Sequence, residues 1–113
     1  MEKKRVVHYI NNFFAGIGGE EKADIAPETR KGTVGPGMAL AAALGDGYEI
    51  VGTVICGDSY FGENLEKAQE TLLTMIEQYK PEAFIAGPAF NAGRYAVACV
   101  NIALAGEKKL SIP

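Results

Sequence analysis

The sequence contains no tryptophan, a single histidine and only two cysteines. Cys56 and Cys99 stand far apart with no C-x-x-C pair, so neither a disulfide framework nor a zinc site is signalled, and a reducing compartment fits. Basic residues are scarce as well. Eleven lysines and arginines face fourteen acidic residues, for a formal net charge of -3, which argues against a surface built to neutralise phosphates; no nucleic-acid partner is expected. There is no long apolar run. Lys3-Lys4-Arg5 leads into a six-residue strand-like segment instead of a signal-peptide core, so the chain reads as unprocessed, cytoplasmic and without a membrane segment. Repeats and low-complexity stretches are also missing. What remains, 113 residues of which 48% are hydrophobic, is enough for one modest core. The expectation is a single α/β domain over residues 1–113.

Arg5 to Ile10 is a β-branched and aromatic run that predicts a buried opening strand. From Asn11 to Gly37 no period of either kind is sustained, and the stretch, with Phe13 and Phe14 reading as exposed, is expected to be a long functional loop. Met38 to Leu44 predicts a short helix, entered through Gly35-Pro36-Gly37 and stopped by Gly45-Asp46-Gly47. A second strand is read over Tyr48 to Cys56, ended by the turn residues Gly57-Asp58. From about Asn64 to Lys80, Leu65, Ala68, Leu72, Leu73, Met75, Ile76 and Tyr79 recur at helical spacing opposite a charged face, and Pro81 stops the helix. Ala83 to Ala86 reads as a third strand. A last helix, apolar nearly all round and so expected to have a neighbour on each side, runs to about Gly106. Leu110 to Pro113 reads as the approach to a fourth strand.

Alternating strands and helices imply an open, mostly parallel sheet of three to four strands with flanking helices, a Rossmann-like or flavodoxin-like three-layer arrangement. So thin a sheet points to the N-terminal part of a longer subunit or to one chain of a homo-oligomer. Ligands of such sheets bind outside the carboxyl ends of the strands. The candidates for a substrate or an anion there are Asn12, Cys56, Asp58, Gly87, Asn91, Gly93 and Arg94. Gly87 and Gly93 allow close backbone approach, Asn91 is an N-cap, and the first-turn amides with Arg94 suit a carboxylate or phosphate. The same segment reads equally well as a proline turn followed by a surface arginine in an ion pair. Asn11, Asn12, Asp58 and Asn91 either orient a small polar ligand or are strand-end turn residues. Asp58 disfavours a Cys56 thiolate, so Cys56 is read as structural, with Cys99 as core and His8 as a satisfied core or edge histidine. No catalytic constellation, metal set or dinucleotide fingerprint assembles from these residues.

Several uncommon strings stand in one order: Arg5-Val6-Val7-His8-Tyr9-Ile10-Asn11, Phe13 to Ala23, Val34-Gly35-Pro36-Gly37, Val54-Ile55-Cys56-Gly57-Asp58, and Ala86 to Tyr95. Together they resemble the N-terminal region of the selenoprotein subunit of component B of the glycine, sarcosine and betaine reductases. That resemblance implies a part in an anaerobic, amino-acid-fermenting complex that cleaves the C–N bond of glycine or an N-methylated glycine. It also implies a pyruvoyl group on a companion subunit that captures the substrate, and a selenocysteine that attacks the substrate methylene carbon. The carboxymethyl-selenoether then passes to a small selenoprotein, acetyl phosphate forms on another component, and thioredoxin supplies electrons. The family's selenocysteine motif lies beyond the length of this chain, and neither Cys56 nor Cys99 stands in its context. On that reading the chain carries no cofactor and is inactive alone. The other reading is a free-standing α/β binding or assembly module without redox chemistry.

Overall fold

The computed structural model describes residues 3–87 and 93–113, apart from the side chains of Glu20, Arg94, Ala96 and Val97. Strand β1 (Lys4–Asn11) is buried from Val6 onward. It pairs in parallel with β3 (Tyr48–Cys56) on one edge and with β4 (Ala83–Ala86) on the other. The two strands read from the sequence as Tyr48 to Cys56 and Ala83 to Ala86 form over those residues. A fourth strand, β2 (Glu28–Lys31), pairs antiparallel with β3, giving the sheet order β2-β3-β1-β4. The expected open, mostly parallel α/β sheet is thus present.

Strand β2 corrects the reading of residues 11–37 as one long loop. Its Glu-Thr-Arg-Lys sequence has no apolar alternation, because it lies at the sheet edge with its last two residues exposed. Backbone pairing to the open side of β3 makes it a strand. A 3-10 turn at Glu20–Lys22 further divides the same stretch. Phe13 is exposed as expected, whereas Phe14 packs against the core.

Helix α1 (Gly37–Leu44) lies between Pro36 and Gly45, as the turn signals predict. The expected single helix from Asn64 is preceded by another. Helix α2 (Asp58–Glu63) follows β3 directly, and α3 (Leu65–Gln78) begins after Asn64, whose φ of -132° breaks the run. Asn64 Nδ2 donates to the Tyr60 carbonyl at 3.1 Å, fixing the break. The buried face of α3 is Ala68, Leu72, Leu73 and Ile76. Burial of each large apolar side chain contributes roughly 1.5–3 kcal/mol.

Helix α4 (Gly93–Leu110) continues past Gly106. Gly106 lies inside it, beside the Phe84 ring, and Lys108 and Lys109 complement the helix C-terminus. Leu110 therefore belongs to the helix, and no strand forms at 111–113, although the Pro113 carbonyl accepts from the Phe84 N–H at 2.9 Å. Among the described residues of this chain, one side of α4 is covered. Ala98, Cys99, Ile102 and Ala105 face the core, while Val100 and Leu104 are 59% and 49% exposed.

The main core lies between the sheet and helices α2, α3 and α4, joining Val7, Tyr9, Val54, Cys56 and Phe84 to Phe61, Leu72, Ile76, Tyr95 and Ile102. The opposite face carries a smaller cluster of Ile10, Ala15 and Ile55. Gly52 admits the Tyr79 ring directly above β3, where any Cβ would collide with ring carbons. Tyr79 is held there by a 2.7 Å hydrogen bond between its hydroxyl and that of Thr29. Gly52→Ala is therefore expected to destabilise the chain by about 1–3 kcal/mol, measured by urea unfolding; unchanged stability would show that the ring can move away.

Candidate functional site

The carboxyl ends of β1 and β3 are joined by side chains. Asn11 ends β1; its Nδ2 donates to Asp58 Oδ2 at 3.0 Å, and its Oδ1 accepts from the Phe14 N–H at 3.0 Å. One amide thereby ties the first turn of α2 to the loop after β1. Asp58 occupies that first turn, where a negative charge is favoured by the exposed helical amides. Asn12 is 2% exposed and donates to the carbonyls of Gly18 and Gly19 at 3.0 and 2.7 Å. Its amide nitrogen folds the glycine-containing loop, which is a structural use of a residue expected at a ligand. Gly87 closes the group from β4: its N–H donates to the Tyr9 carbonyl at 3.1 Å, while its own carbonyl accepts from His8 Nε2. A φ of 131° at Gly87 makes this turn accessible to glycine and strained for other residues.

Behind this edge runs a chain of rings that sequence reasoning does not assemble. Phe13 and Phe14 lie 5.5 Å apart, Phe14 and Tyr95 5.6 Å, Tyr95 and Tyr9 6.3 Å, and Tyr9 and Phe61 6.3 Å. The period of two in β1, placing Val7, Tyr9 and Asn11 on one face, is the available signal for Tyr9. Tyr95 is placed only by the packing of α4. The Tyr9 hydroxyl is buried and has no hydrogen-bond partner among the described residues. Burial raises the pKa of both phenols well above the usual tyrosine value, and the nearby Cys99 and Asp58 add to the effect.

Both cysteines are buried thiols. Burial, reinforced by Asp58, pushes Cys56 up to about 12, and burial pushes Cys99 up to about 11. The Cys56 Sγ lies 3.5 Å from the Gly57 carbonyl, a weak acceptor contact. Cys56 and Asp58 thus share the site edge, with the thiol held protonated. Asn91 lies outside the described residues, as does the Arg94 side chain, and Gly93 begins α4. The structure therefore brings together Asn11, Asn12, Cys56, Asp58 and Gly87 at the sheet's carboxyl edge. Among the described residues there is no group of three or more His, Cys, Asp or Glu side chains that could hold a metal ion. Likewise, no helix among them is long and apolar enough to cross a membrane.

Fold and site define an open α/β domain whose polar groups gather where parallel sheets bind ligands. The sequence profile of the glycine/sarcosine/betaine reductase selenoprotein B family matches residues 3–113, and the chain belongs to that family. It is 68% identical, over its whole length, to 26% of the sarcosine reductase complex component B subunit beta of Peptoclostridium acidaminophilum. It is 62% identical over 96% of its length to 25% of the glycine reductase complex component B subunit gamma of Symbiobacterium thermophilum. Identity is 41% over 97% of the chain with 25% of the betaine reductase complex component B subunit beta of P. acidaminophilum. The chain thus spans about a quarter of the length of these curated relatives. No solved structure matches it.

Two outcomes are expected from this geometry. At a given pH the upward shift from 9.0 to about 12 leaves Cys56 with about a thousandfold less thiolate than an ordinary cysteine. A thiol-specific reagent should accordingly modify the native chain far more slowly than the urea-unfolded chain, and equal rates would refute the buried-thiol geometry. Burial lowers the His8 pKa below 6.5, so the folded state binds fewer protons than the unfolded one between that lowered value and 6.5. The His8 contribution is whole above 6.5 and is lost as pH falls through the lowered value. His8→Gln should remove that component of the acid dependence of melting; an unchanged pH profile in thermal melts would contradict this.

Proposed function

We propose that this domain forms the substrate-side edge of a cytoplasmic component B subunit in a reductase complex that cleaves the C–N bond of glycine or an N-methylated glycine. In that complex electrons come from thioredoxin and the product is acetyl phosphate. The relatives are named as component B subunits of sarcosine, glycine and betaine reductase complexes, which supports a place in a multi-subunit reductase. The observation that carries the substrate-side reading is the convergence of Asn11 and Asp58, 3.0 Å apart, beside the aromatic series Phe14, Tyr95 and Tyr9.

The three substrates in those names share a carboxylate and a nitrogen that is cationic at neutral pH, and they differ in its methylation. A carboxylate beside aromatic rings suits such a nitrogen at every degree of methylation, through charge and through the ring faces. Arg94 and the amides at the start of α4 supply the complementary charge for the substrate carboxylate. The redox nucleophile is the selenocysteine elsewhere in the full subunit, since thiols with values raised to about 12 and about 11 are poor nucleophiles at neutral pH. The pyruvoyl group belongs to the companion subunit, and the small selenoprotein is the next acceptor. The outward face of α4, with Val100 and Leu104 exposed, is the surface through which the chain self-associates.

Calorimetric titration of glycine, sarcosine, betaine and phosphate into the chain tests the substrate reading. Saturable binding of the three amino-acid substrates is expected, weakened about tenfold or more by Arg94→Ala and by Asp58→Asn, with circular dichroism showing that both variants remain folded. Absence of binding by all three would remove the substrate-side role and leave a scaffold. For self-association, sedimentation of a Val100→Lys, Leu104→Glu variant should show monomer at concentrations where the parent dimerises; a parent that is monomeric throughout would refute the α4 interface.

A further inference from the structure

The two outer edges of the sheet differ in kind. At one, β2 carries Glu28, Arg30 and Lys31, the charged sort of edge that resists further pairing. At the other, β4 reads Ala-Phe-Ile-Ala, without charge, and among the described residues no strand lies beyond it. An uncharged edge with outward backbone groups pairs readily with another strand. Those groups alternate sides along β4. The Gly87 N–H turns inward to the Tyr9 carbonyl, whereas the Phe84 N–H turns outward and donates to the Pro113 carbonyl at 2.9 Å.

Pro113 reaches this edge by a fixed route. Helix α4 ends at Leu110, and Ser111, with a φ of 57°, takes the left-handed turn that redirects a chain at a helix end. Leu110 and Ile112, on either side of that turn, pack against the main core. The chain is thereby delivered to the start of β4. Helix α4 lies on the same face as α2 and α3, whose connection carries the chain from β3 past β1 to β4. A crossover of the same hand on the same face advances in the same direction across the sheet, and that hand is nearly invariant. The parallel strand it leads to falls on the outer edge of β4, where the Pro113 carbonyl already sits.

We propose that in the full-length subunit the residues following Pro113 form a fifth strand, parallel to β4 along its outer edge. The relatives are long enough to supply it, since this chain spans 26% of one and 25% of another. In a parallel ladder the bond from Phe84 to Pro113 is followed by two more: the second residue after Pro113 donates to the Phe84 carbonyl, and the Ala86 N–H donates to the carbonyl of that same residue. This register sets the first added residue beside Phe84 and the second beside Ile85. A second copy of the chain is disfavoured as the occupant, because two-fold symmetry would pair β4 with itself antiparallel and the Phe84 N–H is already taken. A strand of ordinary length in this register reaches the level of Gly87. The loop after it opens on the carboxyl edge where Asn11 meets Asp58, so residues beyond this chain complete that edge. The inference stands on the sheet and holds whichever ligand the edge binds.

The test compares amide hydrogen exchange at Phe84 and Ala86 in this chain and in a full-length subunit carrying this region. Exchange about tenfold or more slower in the full-length subunit is expected, with rates in this chain independent of its concentration. In the full-length subunit, Ile85→Cys is then combined with a cysteine at the second residue after Pro113, which the register puts on the same face, or at the third, which it puts on the opposite face. Ile85 is half-buried on the side away from the main core, so its replacement leaves that core intact. Oxidation is expected to cross-link the first combination in preference to the second. Equal exchange in the two proteins overturns the proposal, and so does cross-linking without that preference. Protection in this chain that rises with concentration would put a second copy at the edge and overturn it too. The exchange comparison uses unaltered proteins and so holds whether or not the cysteine variants fold.

Discussion

Strand β1 is hydrogen-bonded along both edges, and every side chain from Val6 to Asn12 is buried. Parallel strands of this kind hold together only when both faces are covered, and here the coverage is unequal. Helices α2, α3 and α4 close one face over Val7 and Tyr9, while the other receives the loop after β1 around Ile10 and helix α1 near His8. The central position of β1 also decides where polar chemistry gathers. Its last residues emerge beside Asp58 of α2 and Gly87 after β4, so three segments distant in sequence meet around one strand end.

Burial then sets the chemical character of what is gathered there. The same packing that excludes water raises the Cys56 and Cys99 thiols and lowers the pKa of the His8 imidazole, leaving these groups neutral at physiological pH. The edge is consequently suited to holding and orienting a ligand, and poorly suited to supplying a nucleophile. Such a division of labour agrees with the proposal that redox chemistry resides in other parts of a longer subunit and in its partners.

The elements legible in the sequence are those that carry a physical period or a strong punctuation. Tyr48 to Cys56 is rich in β-branched residues and Ala83 to Ala86 is a continuous apolar run, and both are strands over those residues. Leu65 to Gln78 carries a helical stripe of which Ala68, Leu72, Leu73 and Ile76 are buried as expected, while Leu65, at the first turn, is exposed. Strand β2 is illegible because its stability comes from the open edge of β3 and from Tyr79 over Thr29, neither of which is local to Glu28–Lys31. The outer face of α4 has no counterpart within this chain: apolar side chains such as Val100 and Leu104 report what they are, not what lies against them.

Among the site residues, Cys56, Asp58 and Gly87 stand at strand ends as expected, since ligand positions in parallel sheets follow from strand polarity. The sequence by itself determined the α/β class, the buried opening strand, and the family, all properties of local pattern and of motifs in order. Only the tertiary structure decided that Asn12 spends its amide on the Gly18 and Gly19 carbonyls, that Asn11 reaches Asp58, and that His8 donates to Gly87. Each of the last two joins residues more than forty positions apart, and a hydrogen bond over that separation exists only once the sheet has fixed both ends in space.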